Sequence, residues 1–403
     1  MPALPPELLD IILASVDGPT APTTLRSCSL VAHSFVCPSQ RLLFRFLTLR
    51  SKTIAAVSAR LAAHPHLASH VRDLHVDIHL CSKIYEEALM ATFRLLSKEH
   101  VQRIAISSYS WQTWVWDSFS EDFRHAFVSL LRLPSVRCLA LTRCRGVPLG
   151  LIRYALAFYE EVGLLVASVD AKQYCDFTVP PSAIDRGCTD NSLKHLLLNY
   201  SPTQTAALHS LIMGEGFSPP TDFHGLRRLE LAVPTQGSLG GLENVATRYS
   251  ASLQHLVVNF WQRHDQPVVL PALPMLKSLA LKASVGRLRI PEAIVSTIIN
   301  LPPQTLPNLE VLRIIVDAEY DASGKIIDSN RLCEVDMALT ELVQGKQLRE
   351  INWGIFSNDA VAFEERIRRV LPRTTAAATG RLLFSFSTWS WKSKHDPMVH
   401  FCL

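Results

Sequence analysis

The residues best suited to chemistry lie in one short stretch, where acidic and histidine side chains alternate. Asp73, His75, Asp77 and His79 are separated by single apolar residues, so in a strand all four would lie on one face. Aspartate and histidine both bind zinc, which makes the stretch a candidate metal site. However, neighbouring side chains on one strand face lie about 6.5–7 Å apart and diverge. We therefore favour a solvated strand face over a metal site.

The densest aromatic group is formed by Trp111, Trp114 and Trp116. Exposed tryptophans anchor protein partners, whereas buried ones fix a long loop onto the core. We favour the packing interpretation, and the same applies to Trp389 and Trp391.

Motifs of the common enzyme classes are absent from the sequence. It contains no Gly-x-x-x-x-Gly-Lys, no Gly-x-Ser-x-Gly and no His-Glu-x-x-His. We predict a protein that is not an enzyme and needs no cofactor and no metal ion. An unrecognised enzyme stays an alternative, which a pocket with convergent titratable groups would support.

The composition indicates a folded chain of mild charge. Of 403 residues, 48% are hydrophobic and 19% are charged, with a net charge of +4. This gives no case for a nucleic-acid partner. No apolar run reaches the roughly 18 residues of a membrane span, and no secretory signal is visible. Nine scattered cysteines without a Cys-x-x-Cys pair predict reduced thiols and a cytoplasmic or nuclear location.

After residue 48 the pattern apolar-x-x-apolar-x-apolar recurs. It begins at Val71, Val101, Val136, Leu193, Leu226, Leu253, Leu276, Leu309 and Leu348. The longest gap contains a degenerate repeat at 162–169, and a last strand is predicted at 381–386. Helices are predicted near residues 53–63, 85–97, 119–131, 201–214, 242–249, 291–300, 329–345 and 360–371. One strand and one helix per unit predict an α/β solenoid with a parallel sheet. The alternative is an ordinary doubly wound α/β domain.

Three short helices are predicted at the start of the chain. The first opens at Pro5 and Pro6 and ends at Gly18, with four apolar residues on one face: Leu4, Leu8, Ile11 and Ile12. The second begins at Thr23 or Thr24, and its apolar residues are Leu25, Cys28 and Val31, with Phe35 just beyond. The third covers residues 38–47. A segment of about 45 residues buries too little surface to be stable alone, so it needs a partner or a neighbouring domain.

This N-terminal stretch resembles an F-box. The resemblance rests on Leu-Pro-Pro-Glu-Leu-Leu at 4–9, Leu-x-x-Cys-x-x-Val at 25–31, an aromatic residue after Ser34 and Arg-x-Leu-Phe at 41–44. Phe35 stands where many F-boxes have tryptophan. The resemblance implies docking onto a Skp-family adaptor of a cullin–RING ubiquitin ligase. The implied adaptor-binding residues are Leu4, Pro5, Leu8, Ile11, Leu25, Cys28, Val31 and Phe35.

Nearly the whole chain is similar to the F-box proteins with leucine-rich-repeat-like tails that are abundant in fungi. This implies an F-box-like helical module at 1–47 and an irregular leucine-rich-repeat-like α/β solenoid with a curved parallel sheet at 48–403. The asparagine that usually follows the repeat motif is missing, because Asn199 and Asn259 come two residues too early. We therefore expect no asparagine ladder.

In such a solenoid, the strand side chains that point away from the core form a concave binding face. The candidate target-binding residues are His75, Asp77, Glu230, Asn259, Arg313 and Asn352. This face has no dominant charge, which favours an ordinary protein surface over a phosphate or an acidic tail as the ligand. We predict a non-catalytic substrate receptor that links an unknown target to a Skp–cullin–F-box type ubiquitin ligase. The alternative is a stand-alone interaction scaffold whose N-terminal helices only cap the solenoid.

Overall fold

The computed structural model describes residues 6–16, 21–78, 83–96, 100–108, 113–170, 193–199, 210–213, 223–233, 239–260, 268–283, 292–301, 303–316, 329–344, 348–355, 360–377 and 383–388. The protein is of the mixed α/β class. It divides into two compact units, residues 1–147 and 148–403. Within the described ranges, no helix combines the length and the apolar character that crossing a membrane requires.

The first unit begins with three helices and continues with strands and helices that alternate. Its elements are α1 Pro6–Ala14, α2 Ala21–Val31, α3 His33–Arg45, β1 Phe46–Arg50, α4 Ile54–Ala63, β2 Asp73–Asp77, α5 Lys83–Leu96, β3 Arg103–Ser107, β4 Trp114–Val115, α6 Glu121–Leu131 and β5 Cys138–Pro148. Strands β1, β2, β3 and β5 pair in this order and all in parallel. The short strand β4 pairs with the second half of β5.

The second unit continues the alternation. Its elements are α7 Leu149–Phe158, β6 Glu161–Asp170, β7 His195–Asn199, β8 Arg228–Val233, α8 Leu239–Arg248, β9 His255–Phe260, β10 Ser278–Ala283, α9 Glu292–Ile299, β11 Val311–Val316, α10 Ser329–Gln344, β12 Glu350–Ile355, α11 Ala360–Val370, α12 Pro372–Ala377 and β13 Leu383–Thr388. Strands β6 to β13 pair in strict chain order, and every pair is parallel.

A repeated main-chain hydrogen-bond pattern sets the register between neighbouring strands. The carbonyl of Lys194 accepts the amides of Arg227 and Arg228, each at 2.9 Å. The carbonyl of Arg227 in turn accepts the amides of Gln254, at 2.8 Å, and His255, at 2.9 Å. Each repeat therefore starts its strand at the same level, and residues at one repeat position lie side by side.

Strand residues alternate between a core face and a face that we call the second face. The core face of β8 and β9 consists of leucine and valine side chains that are almost completely buried, such as Leu229, Leu231, Leu256 and Val258. In the second unit, the first row of the second face is Glu161, His195, Arg228, His255, Ser278, Val311 and Glu350. The next row is Gly163, Leu197, Glu230, Val257, Ala280, Arg313, Asn352 and Ser385. A third row includes Ala232, Asn259, Lys282, Ile315 and Gly354.

Most predicted elements are confirmed with shifts of a few residues at their ends. The degenerate repeat is β6, and the last predicted strand is β13. The predicted helix at 201–214 lies mostly outside the described residues. Helices α7 and α12 and strand β4 were not predicted.

The predicted third helix was wrong at both ends. It begins at His33 rather than near residue 38, and it stops at Arg45. Residues 46–50 form β1 because Leu47 and Leu49 alternate with exposed residues and pack beside Leu74 and Val76 of β2. The expected boundary between residues 47 and 48 falls inside this strand.

Candidate functional site

Helix α1 has apolar side chains on two sides. Leu9 and Leu13, four residues apart, are buried, and the helix packs against α3. Leu8, Ile11 and Ile12 are exposed, and Ile11 is 65% exposed. These three residues have the i, i+3, i+4 spacing of one helical face. A globular helix normally turns its apolar stripe inward, so this second, outward stripe is a candidate binding surface.

Helix α2 shows the same division. Leu25 is buried, whereas Leu30 and Val31 are 86% and 75% exposed. Cys28 and Phe35 are half-buried. Leu25 therefore contributes to the packing of the three helices, and Val31 is free to contact a partner.

The predicted adaptor-binding residues thus fall into three groups. Leu8, Ile11 and Val31 are exposed, Leu25, Cys28 and Phe35 are buried or half-buried, and Leu4 and Pro5 lie outside the described residues. The prediction missed Ile12 and Leu30, which are also exposed. The position of Ile12, four residues after Leu8, is the sequence signal that could have included it.

The alternating Asp–His stretch forms β2. His75 Nε2 lies 2.8 Å from Ser107 Oγ on β3, and the Tyr85 hydroxyl donates to the main-chain oxygen of Asp77 at 2.7 Å. Asp77 and Ser107 are buried. His79 lies outside the described residues. Among the residues that the structure describes, no group of three or more His, Cys, Asp or Glu side chains could hold a metal ion. These contacts tie β2 to its neighbours.

Asp73, on the second face of the first unit, lies close to two arginines. Its buried carboxylate lies 3.7 Å from the Nε atom of Arg45 and 3.7 Å from that of Arg103. Burial raises the pKa of Asp73, and the positive charges of Arg103 and Arg45 oppose this shift. Arg45 and Arg103 therefore share one buried counter-ion.

Positive charge is less well compensated on the second face of β8 to β11. The buried carboxylate of Glu230 lies 3.3 Å from Lys282 Nζ. Arg228 is half-buried and Arg313 is exposed. Among the described residues, neither arginine has a carboxylate within 4.0 Å. Glu230, the one buried carboxylate on this part of the second face, is thus already paired with Lys282.

The pKa shifts show that these charges affect one another. Burial lowers the pKa of Arg228, the charge of Glu230 opposes this shift, and the charge of Arg313 adds to it. His255 is exposed as a residue, yet partial burial of its imidazole lowers its pKa. The positive charges of Arg228, Lys277 and Arg313 lower it further. Four basic side chains therefore share one part of the second face, Arg228, His255, Lys282 and Arg313, and Lys277 lies directly before β10.

The predicted target-binding residues are only partly brought together. Glu230, Arg313 and Asn352 share one row, Asn259 lies in the next row, and Asn352 donates to Ser385 Oγ at 2.6 Å. His75 and Asp77 belong to the first unit. Sequence reasoning missed Arg228 and His255. Both stand one residue before a core leucine, a position that alternates with it and therefore lies on the second face.

The two members of the predicted aromatic group that the structure describes pack into the first unit. Trp114 is buried and donates from Nε1 to the carbonyl of Thr142 at 3.1 Å. Trp116 is also buried, and its ring lies 5.9 Å from that of Phe127. The packing interpretation is confirmed for these two. Trp111, Trp389 and Trp391 lie outside the described residues.

Comparison with known proteins gives no family for this chain. No protein-family model matches it. A search of curated proteins finds no significant match.

Proposed function

We propose that this chain is a non-catalytic substrate receptor of a Skp–cullin–F-box type ubiquitin ligase. Residues 1–47 act as an F-box-like module that binds a Skp-family adaptor. Residues 48–403 act as a leucine-rich-repeat-like solenoid with a curved sheet, and its second face holds the target protein. The receptor contributes proximity between target and ligase, and none of its residues takes part in ubiquitin transfer.

The observation that carries the proposal is the exposure of large apolar side chains on α1 and α2. Burying one such side chain in an interface contributes roughly 1.5–3 kcal/mol. Leu8, Ile11 and Val31 are therefore suited to be anchors in an apolar groove of a partner. If the three helices only capped the following repeats, these residues would be expected to turn inward. Their exposure favours docking over the cap alternative.

Strand order supports the solenoid over a doubly wound domain. In a doubly wound sheet the strand order reverses at a switch point, and ligands bind there. In the second unit, β6 to β13 are neighbours in strict chain order. The regular hydrogen bonds at the start of each strand agree with stacked repeats that contact only their neighbours.

We place the protein in the cytoplasm or nucleus. Five described cysteines, Cys28, Cys37, Cys138, Cys144 and Cys333, have free thiols. Free thiols are typical of a reducing compartment, and the adaptor of the proposed ligase would be met there.

Co-purification of the full-length protein with a Skp-family adaptor tests the proposal. Ile11→Asp/Val31→Asp should weaken adaptor binding by at least about tenfold, because each aspartate would have to be desolvated in the apolar groove. Val269→Asp is the matched control, since Val269 is 63% exposed but lies in the second unit. Failure of the wild-type protein to bind the adaptor would sink the ligase role and favour the scaffold alternative.

A further inference from the structure

We propose that the second face of β8 to β11 binds an acidic segment of the target protein, held by Arg228, Lys282 and Arg313. This inference rests on the proposed role of the second face in target binding, and it names the chemistry of the ligand. It departs from our expectation of a face without dominant charge. That expectation left out the first row of the second face, where Arg228 and His255 lie.

The count of charges supports an anionic ligand. Arg228, Lys282 and Arg313 are cationic and lie on this face, and Lys277, directly before β10, is close enough to affect His255. Glu230 and Glu161 are the carboxylates that affect Arg228. Of these charged groups, three cations and one carboxylate, Glu230, occupy second-face positions of β8 to β11, which leaves an excess of two positive charges there, without counting His255. Two carboxylates of a ligand would neutralise this excess, and arginine can bind each of them with two hydrogen bonds.

The register places the charges around a short apolar floor. Glu230, Val257, Ala280 and Arg313 occupy one row across four strands. At about 4.8 Å per strand, the Cα atoms of Glu230 and Arg313 are roughly 14 Å apart. Between them Val257 and Ala280 are short, so the longer cationic side chains define the surface above them. An extended peptide that crosses this row would place one acidic side chain near Arg313 and another near Arg228 and Lys282, the cations beside Glu230.

The first unit provides an internal comparison. There, Arg103, the register partner of Asp73 on β3, and Arg45 at the end of α3 share the carboxylate of Asp73. On the second face of β8 to β11, the one buried carboxylate, Glu230, is paired with Lys282, and both arginines remain without a carboxylate within 4.0 Å in the part of the chain that the structure describes. The chain thus provides a carboxylate for the first arginine pair and leaves the second pair to a ligand.

Side-chain types on this face favour a protein over a nucleic acid. Single-stranded nucleic acids are bound by cationic grooves that also offer aromatic rings for base stacking. The second face of β8 to β11 carries no aromatic residue at any of its twelve positions: Arg228, Glu230, Ala232, His255, Val257, Asn259, Ser278, Ala280, Lys282, Val311, Arg313 and Ile315. An acidic peptide needs no stacking surface.

Fluorescence anisotropy with the full-length chain tests this inference. The probe is a fluorescein-labelled peptide in which glutamates alternate with serines, and the reference peptide has glutamine at every glutamate. Lys277→Gln/Arg313→Gln should weaken binding of the acidic peptide by about tenfold or more, because half of the four cations are removed. Arg369→Gln/Arg373→Gln is the matched control. It removes the same charge from exposed residues of α11 and α12 and should change binding by less than about twofold.

Three results would overturn the inference: equal binding of the glutamine peptide, equal loss of binding in the two double variants, or tighter and equally variant-sensitive binding of a single-stranded oligonucleotide. Thermal unfolding shows whether both variants are folded. Adaptor co-purification with the same proteins tests the ligase role separately from the acidic ligand of the second face. The peptide result decides the ligand of the second face, and the adaptor result decides the ligase role.

Discussion

The ammonium group of Lys282 on β10 lies 3.3 Å from the carboxylate Oε1 of Glu230 on β8, across the intervening strand β9. Both side chains are largely removed from water, with 20% and 5% exposure. The pair therefore links three strands, and it occupies the one buried carboxylate close to Arg228. The charge available to a ligand on this face depends on this contact.

Removal of the Glu230 charge should strengthen anion binding. In Glu230→Gln, Lys282 loses its partner and the excess positive charge of the face increases by one. We expect the alternating Glu–Ser peptide to bind about threefold to tenfold more tightly at low salt. Anisotropy titration measures this. Glu365→Gln, an exposed change on α11, is the control and should leave the affinity unchanged. Weaker peptide binding in Glu230→Gln would contradict the model of a cationic site.

His255 should titrate below the usual histidine pKa of 6.5. Because its pKa is lowered, the folded protein binds fewer protons here than the unfolded chain does. Its contribution to stability is therefore fully present above about pH 6.5 and is lost as the pH falls below this value through the lowered pKa of the folded state. Lys277→Gln/Arg313→Gln removes two of the nearby positive charges and should raise this pKa. NMR titration of the imidazole measures the shift, with Arg369→Gln/Arg373→Gln as the control. A pKa that does not move would show that these cations are not close to His255.

Asp336 should stabilise the second unit through the start of α12. Its buried carboxylate accepts hydrogen bonds from the amides of Arg373, at 3.0 Å, and Thr374, at 2.8 Å, and from the Thr374 hydroxyl at 2.7 Å. Asp336→Ala leaves these donors without an acceptor and should lower the free energy of unfolding by about 1–3 kcal/mol. Urea denaturation measures the loss. Glu341→Ala, exposed on the same helix, should change stability by less than about 0.5 kcal/mol.

Glu86 should act as a remote cap for α6. Its Oε1 atom accepts from the amide of Ser120 at 2.8 Å and from the Ser120 hydroxyl, while Ser120 Oγ accepts from the amide of Phe123 at 3.2 Å. Glu86→Ala should cost roughly 1–2 kcal/mol, since it breaks the support of an N-cap residue. The adjacent Glu87 is exposed, so Glu87→Ala is a close control. Equal unfolding midpoints for the two variants would rule out this role.

The two sides of α1 should respond differently to truncation. Leu13 is 1% exposed, so Leu13→Ala should cost about 2–5 kcal/mol. Ile11→Ala should change stability by less than about 0.5 kcal/mol, yet weaken adaptor binding. Thermal unfolding and co-purification separate the two effects. A large loss of stability in Ile11→Ala would mean that this residue packs inside the protein and would remove it from the docking surface.

The recurring six-residue motif apolar-x-x-apolar-x-apolar predicted the strands well, because core leucines must alternate with other residues in any strand that has one buried face. Leu229 and Leu231, for example, mark β8 without further information. Strand β1 was missed because its Phe46 and Leu47 also fit the spacing of the preceding helix. Pairing with Leu74 and Val76, which are distant in sequence, decides that residues 46–50 are extended.

The sequence by itself determined the α/β class, the positions of most strands and helices and the candidate second-face positions, since each depends on the local spacing of apolar residues. Tertiary structure decided which apolar residues of α1 and α2 remain exposed, because exposure depends on how these helices pack. It also decided which charges are compensated. Arg45 and Arg103 meet Asp73, whereas Lys282 reaches Glu230 across a strand and leaves Arg228 without a close carboxylate in the described structure. These contacts join residues about 30 to 50 positions apart, which local spacing cannot encode.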